Sequence, residues 1–322
     1  MNKRYDVVAL GELLIDFTAS GMSDQGNPVF EANPGGAPCN VLAMLRKLDK
    51  TCAFIGKVGD DMFGHQLKAV AEGAGIDMSA LRMDGEVRTT LAFVKTDEHG
   101  DRDFSFYRNP GADMKLTEEE LPLDMLSGTR IFHFGTLSMT HEAVRATTKA
   151  AVLAAKLGGA IISFDPNLRP PLWESLNDAR AQMLWGIGQA DILKIADNEI
   201  EFLTGSADYE RGARQLMSQY QNLQLVNVTA GANGSYAFHQ ERKAFVPSFL
   251  LGGTIETTGA GDTFCACVLN FILEHGLNDL SRDDLKQMLR FANAAAYLVT
   301  TKKSAIRSMP EREQVEAILN EH

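Results

Sequence analysis

The chain has 322 residues, 45% hydrophobic and 23% charged, and its 31 Lys and Arg stand against 42 Asp and Glu for a formal charge of -11. That composition suits a globular protein, and the length allows one large α/β domain or two smaller ones around a sizeable core. The acidic balance argues against nucleic acid or an anionic membrane as partner, so an anionic ligand must be held by local features: a helix N-terminus, a few basic side chains or a metal.

The N-terminal apolar run is broken by Gly11 and Glu12, with Asp16 close behind, and no small-residue cleavage pattern follows. No signal peptide is expected. No stretch of 18 uncharged apolar residues occurs, so no spanning helix is expected and a cytoplasmic location follows. Cys39, Cys52, Cys265 and Cys267 each sit among apolar neighbours and read as buried, reduced thiols. The Cys265-Ala266-Cys267 spacing suits neither a zinc knuckle nor a redox pair.

Short β-rich runs at Asp6–Leu10, Cys52–Ile55, Ile131–Phe134, Ala160–Phe164, Ile192–Ile195 and Leu225–Val228 alternate with amphipathic stretches such as Val41–Leu48, Glu142–Leu157 and Ala179–Ile187. That alternation predicts an α/β fold with a central, mostly parallel sheet flanked by helices. Two insertions interrupt it, at about 12–33 and 88–110. The first carries strand-like Leu13–Thr18 and then a polar stretch. The second reads as a hairpin, Thr89–Thr96 and Arg102–Arg108 around an Asp97-Glu98-His99-Gly100 turn. Together they predict a small sheet standing off the main one. Ser235–His239 and Lys243–Pro247 read as another hairpin at a sheet edge. With no repeat, low-complexity tract or linker, residues 1–322 form a single domain on this reading.

The segment Glu256-Thr257-Thr258-Gly259-Ala260-Gly261-Asp262-Thr263-Phe264 precedes a nearly unbroken apolar run to His275, with Gly276 as a stop. It reads as a turn opening into a buried helix. Gly259 and Gly261 let a ligand approach the backbone, and the first helical N–H groups, unpaired within the helix, present its positive end to an anion. Asp262 at that point can take the proton of an attacking hydroxyl. It can equally be a stabilising first-turn charge worth roughly 0.3–1 kcal/mol. No Walker-type P-loop occurs, and the first strand lacks a dinucleotide fingerprint. A second segment, Asn33-Pro34-Gly35-Gly36-Ala37-Pro38-Cys39-Asn40, opens another helix, and Asn40 offers a polyol both a donor and an acceptor.

Gly35-Gly36-x-x-x-Asn40-x-x-Ala43 with Gly56-x-Val58-Gly59-x-Asp61-x-x-Gly64, and Thr257-Thr258-Gly259-Ala260-Gly261-Asp262 far downstream, together resemble the two signatures of the ribokinase-like carbohydrate kinases, the PfkB family. Phe104 to Asp113 resembles the fructokinase branch. The resemblance implies an ATP-dependent sugar kinase with Asp262 as base, an anion hole at Gly259, Ala260 and Gly261, and Arg169 neutralising phosphoryl charge. It implies a sugar site of Asp16, Gly35, Gly36, Asn40 and Arg108, with Arg108 pointing from a β-sheet lid toward substrate.

It further implies a nucleotide site of Asn167, Lys194, Thr229, Gly231, Gly234 and Asn293. Glu199 would orient Mg²⁺ through water, although Ala196 stands where the family usually has asparagine. Glu256 and Thr258 would border a monovalent-cation (K⁺) site, with Glu256 in place of the usual aspartate and Ser304 where glycine is common. Fructose is the acceptor this resemblance favours. 2-keto-3-deoxygluconate, ribose, a riboside or nucleoside, and a non-catalytic sugar- or nucleotide-binding role are the alternatives. Exposed lid edges suggest a homodimer.

Overall fold

Val7, Val8, Ala9 and Leu10 are all fully buried, so the first strand is covered on both faces, as its unbroken apolar run requires. The computed structural model describes residues 4–96 and 102–322. Nine strands form the main sheet: β1 (Tyr5–Leu10), β4 (Cys52–Gly59), β5 (Asp77–Asp84), β8 (Thr129–Gly135), β9 (Ile161–Asp165), β10 (Ile192–Ala196), β11 (Leu225–Thr229), β12 (Ser235–His239) and β13 (Arg242–Val246). Their order is β13-β12-β11-β10-β9-β8-β1-β4-β5. All pairings are parallel except those of the β12–β13 hairpin, which closes one edge as its sequence predicts.

The helices are α1 (Ala37–Lys47), α2 (Met62–Gly73), α3 (Leu123–Ser127), α4 (Glu142–Leu157), α5 (Leu176–Gln189), α6 (Asp197–Thr204), α7 (Tyr209–Gln219), α8 (Ala260–His275), α9 (Arg282–Thr300) and α10 (Arg312–Glu321). They divide into two cores, one on each sheet face. Val7 and Ala9 of β1 pack in the core with α1, α8 and α9, whereas Val8 and Leu10 pack in the core with α4, α5 and α7. Successive strand residues point to opposite faces, so a doubly covered strand must be apolar throughout. The four cysteines are free and buried. Among the described residues no helix is long and apolar enough to cross a membrane.

A second sheet of four strands comprises β2 (Leu14–Met22), β3 (Pro28–Gly35), β6 (Leu91–Thr96) and β7 (Arg102–Tyr107), in the order β3-β2-β6-β7. Both interrupting segments therefore pair with each other, β2 lying parallel to β6. The Asp97–Gly100 turn lies outside the described residues. Period-two alternation gives the small sheet two unlike faces. Leu14, Asp16, Thr18 and Phe106 face a cleft shared with the main sheet. On the other face Phe93 stacks on Phe17 at 4.8 Å and meets Phe30 and Tyr107 edge-on at 5.5 and 5.3 Å.

Candidate active site

Open α/β sheets bind ligands beyond the carboxyl ends of their strands. Here the ends of β1, β9, β10 and β11 deliver Glu12, Asn167, Lys194 and Thr229 to one cleft of about 320 Å³, which also receives the start of α8 and the small sheet. Gly259 caps α8 at φ 79°, a left-handed conformation suited to glycine, and any Cβ there would lie 2.8 Å from the Ala305 methyl. Three residues on, Asp262 is 9% exposed. Its Oδ2 accepts a hydrogen bond from Asn40 Nδ2 at 2.7 Å, joining the two sequence motifs across 222 residues. Burial raises the Asp262 carboxyl to about 6; the Asn40 donor opposes that, Asp165 adds to it, and Lys194 and Arg169 oppose it. Near neutral pH it can thus both hold and release a proton, as a general base needs.

Lys194 Nζ lies 3.0 Å from Asp165 Oδ2, and a Cβ on Gly261 would meet the same ammonium at 3.0 Å. Burial alone would lower Lys194, but Asp165 and Glu199, followed by Asp262, outweigh it and keep it protonated. A fixed positive charge therefore sits beside the unpaired N–H groups of α8. Glu199 is 4% exposed; Oε1 accepts from Leu168 N–H at 2.6 Å and Oε2 from Ala196 N–H at 2.8 Å. It thereby ties the 165–169 loop to the start of α6. In that loop Asn167 adopts φ 45° and its N–H donates to Asp165 Oδ1 at 3.1 Å, while half-buried Arg169 borders the cleft. His133, held neutral by burial and by Lys194 with its pKa near 3, backs the cluster.

At the opposite end Asp16, Asn33, Gly36 and Asn40 line the cleft. A Cβ on Gly35 would lie 2.6 Å from Asp16 Oδ2, and one on Gly36, whose φ is 130°, would lie 2.4 Å from the Glu12 carbonyl oxygen. The glycine pair lets this turn fold flat against two acidic residues. Arg108 corrects an expectation, because it is not among the cleft-lining side chains. Only 6% exposed, it donates to Asp113 Oδ2 at 2.8 Å, Thr140 Oγ1 at 2.7 Å and the Leu137 carbonyl at 2.9 Å. A buried guanidinium must satisfy its donors, and Asp113 outcompetes the open cleft.

A second cavity, also about 320 Å³, adjoins the first and shares Thr229, Thr257 and Gly261 with it. Gly231, Gly234 and Asn293 line it among Phe249, Leu250, Phe264 and Ala296, an apolar slot suited to a flat heterocycle. Asn293 lines the wall, but its amide is used internally: Oδ1 accepts from Ser235 Oγ at 2.8 Å, and Nδ2 donates to the Val246 and Pro247 carbonyls at 3.1 Å each. That engagement identifies it as a packing residue that shapes the slot. Glu256 and Thr258 lie at the cleft edge, where Glu256 Oε1 accepts from Ser304 N–H at 2.8 Å and the buried Ser304 hydroxyl has no partner.

Three acidic residues complete the site: Glu12, to which no sequence motif assigns a role, Asp165, which heads the run carrying Asn167 and Arg169, and Asp113, which ends the Phe104–Asp113 run. Glu12, Asp113 and Asp165 are buried and charged around the site. Glu12 and Asp165 carried a signal, being carboxylates at the ends of apolar strand runs. Asp113 stands five residues from Arg108, but nothing in that run shows that the guanidinium folds back onto it.

An acidic base on a glycine-rich helix start, beside a fixed cation and between a polar slot and an apolar one, defines a phosphotransferase acting on an alcohol. The chain belongs to the pfkB family of carbohydrate kinases, whose family model matches residues 4–312. It is 40% identical over 306 residues to the protein named probable fructokinase-2 of Arabidopsis thaliana, covering 94% of this chain and 92% of that one. Among solved structures it resembles the fructokinase of Xylella fastidiosa with bound ATP, at TM-score 0.90 and 29% identity, covering 98% and 99% of the two chains. It also resembles the Vibrio cholerae O395 fructokinase described with fructose, ADP and calcium ion, at TM-score 0.87 and 30% identity, covering 98% and 99%.

Proposed function

We propose that this kinase transfers the γ-phosphoryl group of ATP to D-fructose, giving fructose 6-phosphate. The observation that carries the reading is that Asp262, bound to Asn40, opens onto the same cleft as Asp16 and Gly36. A sugar between Asp16 and Asn40 presents a hydroxyl to Asp262, while a phosphoryl group reaches it from the α8 N-terminus. Phosphoryl transfer needs positioning and charge neutralisation more than covalent help. The backbone at Gly259, Ala260 and Gly261, with Lys194 and Arg169, supplies the neutralisation, and Asp262 receives the proton. The apolar slot takes the base of ATP, and Thr229 and Gly261, common to both cavities, mark the path of its phosphates. The small sheet acts as the lid that excludes water from the transfer.

The charge distribution favours a neutral sugar. The sugar end carries Glu12 and Asp16, whereas the cationic side chains lining the cleft, Lys194 and Arg169, neighbour Asp262. A sugar acid such as 2-keto-3-deoxygluconate would bring its carboxylate against the carboxyl groups of Glu12 and Asp16. The names of the relatives in Arabidopsis, Xylella and Vibrio support fructose.

Among the described residues no cluster of three or more His, Cys, Asp or Glu side chains could cage a metal. Glu199, a buried carboxylate lining the cleft, fits Mg²⁺ carried by the nucleotide phosphates and its own waters, which it would face through water. The ion would supply charge neutralisation. A K⁺ ion fits the corner of Glu256, Thr258 and the unpartnered Ser304 hydroxyl. The exposed Met22, Phe30 and Tyr107 on the small sheet support a homodimer through the lid. Four buried reduced thiols support the cytoplasm.

A coupled ADP-release assay over fructose, ribose, 2-keto-3-deoxygluconate and a riboside tests the reading. Fructose should give the highest kcat/KM and the sugar acid the lowest. A clear preference for any other acceptor would overturn it.

A further inference from the structure

Helix α1 begins without a side-chain cap of its own and without an acidic residue in its first turn. Pro38 removes one of its first amide donors, so Ala37 N–H is one of few that a partner can satisfy. The partner comes from outside the helix: Glu12 Oε1 accepts from Ala37 N–H at 3.0 Å. Glu12 lies between β1 and β2, is 4% exposed and lines the cleft. Its backbone carbonyl is also the atom against which Gly36 packs. One helical turn further on, Asn40 holds Asp262. The remaining Asn40 atom, Oδ1, is buried without a partner. The Asn40 amide is thus placed from two sides only: by the helix that carries it and by the carboxylate it touches.

Resting on the kinase reading above, we propose that Glu12 is a positioning residue for the catalytic base: it caps α1 from outside and so fixes Asn40 against Asp262. The carboxyl is costly to bury. Burial raises it to about 7, its own and the Ala37 amides oppose that, and Asp113 and Arg108 act in opposite directions. What offsets part of that cost is the hydrogen bond to Ala37 N–H, which needs an acceptor at this reach and not a charge. With the cap lost, the first turn of α1 is free to shift, and Asn40 releases one Asp262 oxygen. Displacements of about 1 Å near reacting atoms can cost roughly 10²-fold in rate.

The test separates reach from charge. Glu12→Gln keeps an acceptor at the same distance, whereas Glu12→Asp keeps the charge but is one methylene too short to reach Ala37 N–H. Fructose phosphorylation is measured at pH 8, with thermal melting of each variant. Glu12→Gln should stay within about threefold of wild-type kcat. Glu12→Asp, still folded, should lose roughly 10- to 100-fold in kcat. The acid limb of kcat/KM for Glu12→Asp should also move to higher pH than in Glu12→Gln, because Asp262 loses the donor that holds its pKa down. Adding Asn40→Ala to Glu12→Asp should cost no more than Asn40→Ala alone.

A Gln variant as slow as the Asp variant would overturn the proposal, as would an Asp variant at wild-type kcat or a defect confined to KM for the sugar. Failure of the wild-type protein to phosphorylate any sugar would instead sink the kinase reading, so the two failures are distinct.

Discussion

Lys194 and Asp165 form a buried ion pair beneath the first turn of α8, 3.0 Å from Nζ to Oδ2. The pair has two functions that mutation can separate. Lys194→Met removes the charge proposed to face the phosphoryl group and leaves buried Asp165 without its counter-ion. It should lower kcat by roughly 10²-fold and stability by about 3 kcal/mol. Lys194→Met combined with Asp165→Asn should recover most of the stability and none of the turnover. Urea unfolding and steady-state kinetics on both proteins check this; a double variant that regains turnover would contradict it.

The Asp262 carboxyl titrates near 6 instead of in the ordinary carboxylate range. Between roughly pH 4 and pH 6 the folded chain keeps a proton that the unfolded chain has released. Protonation therefore stabilises the fold in acid, and that contribution is lost as pH rises through 6, up to about 3 kcal/mol. Asp262→Asn cannot ionise and should be more stable than wild type at pH 8, with the difference vanishing near pH 4. Urea unfolding at the two pH values measures it. Equal stability at pH 8 would mean that burying this carboxylate is not costly.

Arg108 and Asp113 are each only 3% exposed at the side chain, at the root of the small sheet. Arg108→Ala should cost roughly 3–5 kcal/mol by stranding Asp113. Arg108→Lys should rescue little, since one ammonium cannot reproduce the three-partner geometry of the guanidinium. A direct substrate contact would give the reverse pattern, a higher KM for sugar with the melting temperature unchanged.

Asp16 lines the cleft at the end proposed for the sugar, and Gly35 leaves room for its carboxylate. Asp16→Asn keeps the shape and removes acceptor strength. KM for fructose should rise roughly 10- to 100-fold while KM for ATP stays within a factor of about two. Parallel changes in both constants would place Asp16 outside the sugar site.

The sheet was legible because buried parallel strands must be apolar throughout, and β1, β8, β10 and β11 announce themselves that way. Asp262 and Asn40 were legible because glycine-rich helix starts leave a local pattern. β3 was not, because Pro28–Glu31 is exposed, opens on a proline and follows a polar stretch, and it becomes a strand only by pairing with β2. Arg108 was placed in the right region but in the wrong direction. Asp113 is only five residues on, but Thr140 and Leu137, 32 and 29 residues away, reach Arg108 only through the fold. Asn293 does line the apolar slot, but nothing local shows that its amide is spent on Ser235, Val246 and Pro247, all more than 40 residues away.

The most direct test of the account is kcat of Asp262→Asn with fructose and ATP at pH 8, on protein shown by melting to be folded. Loss of the base should lower kcat by about 10²–10⁴-fold while KM for both substrates changes little. Turnover within a few-fold of wild type would contradict the assignment of Asp262 as the group that takes the sugar proton.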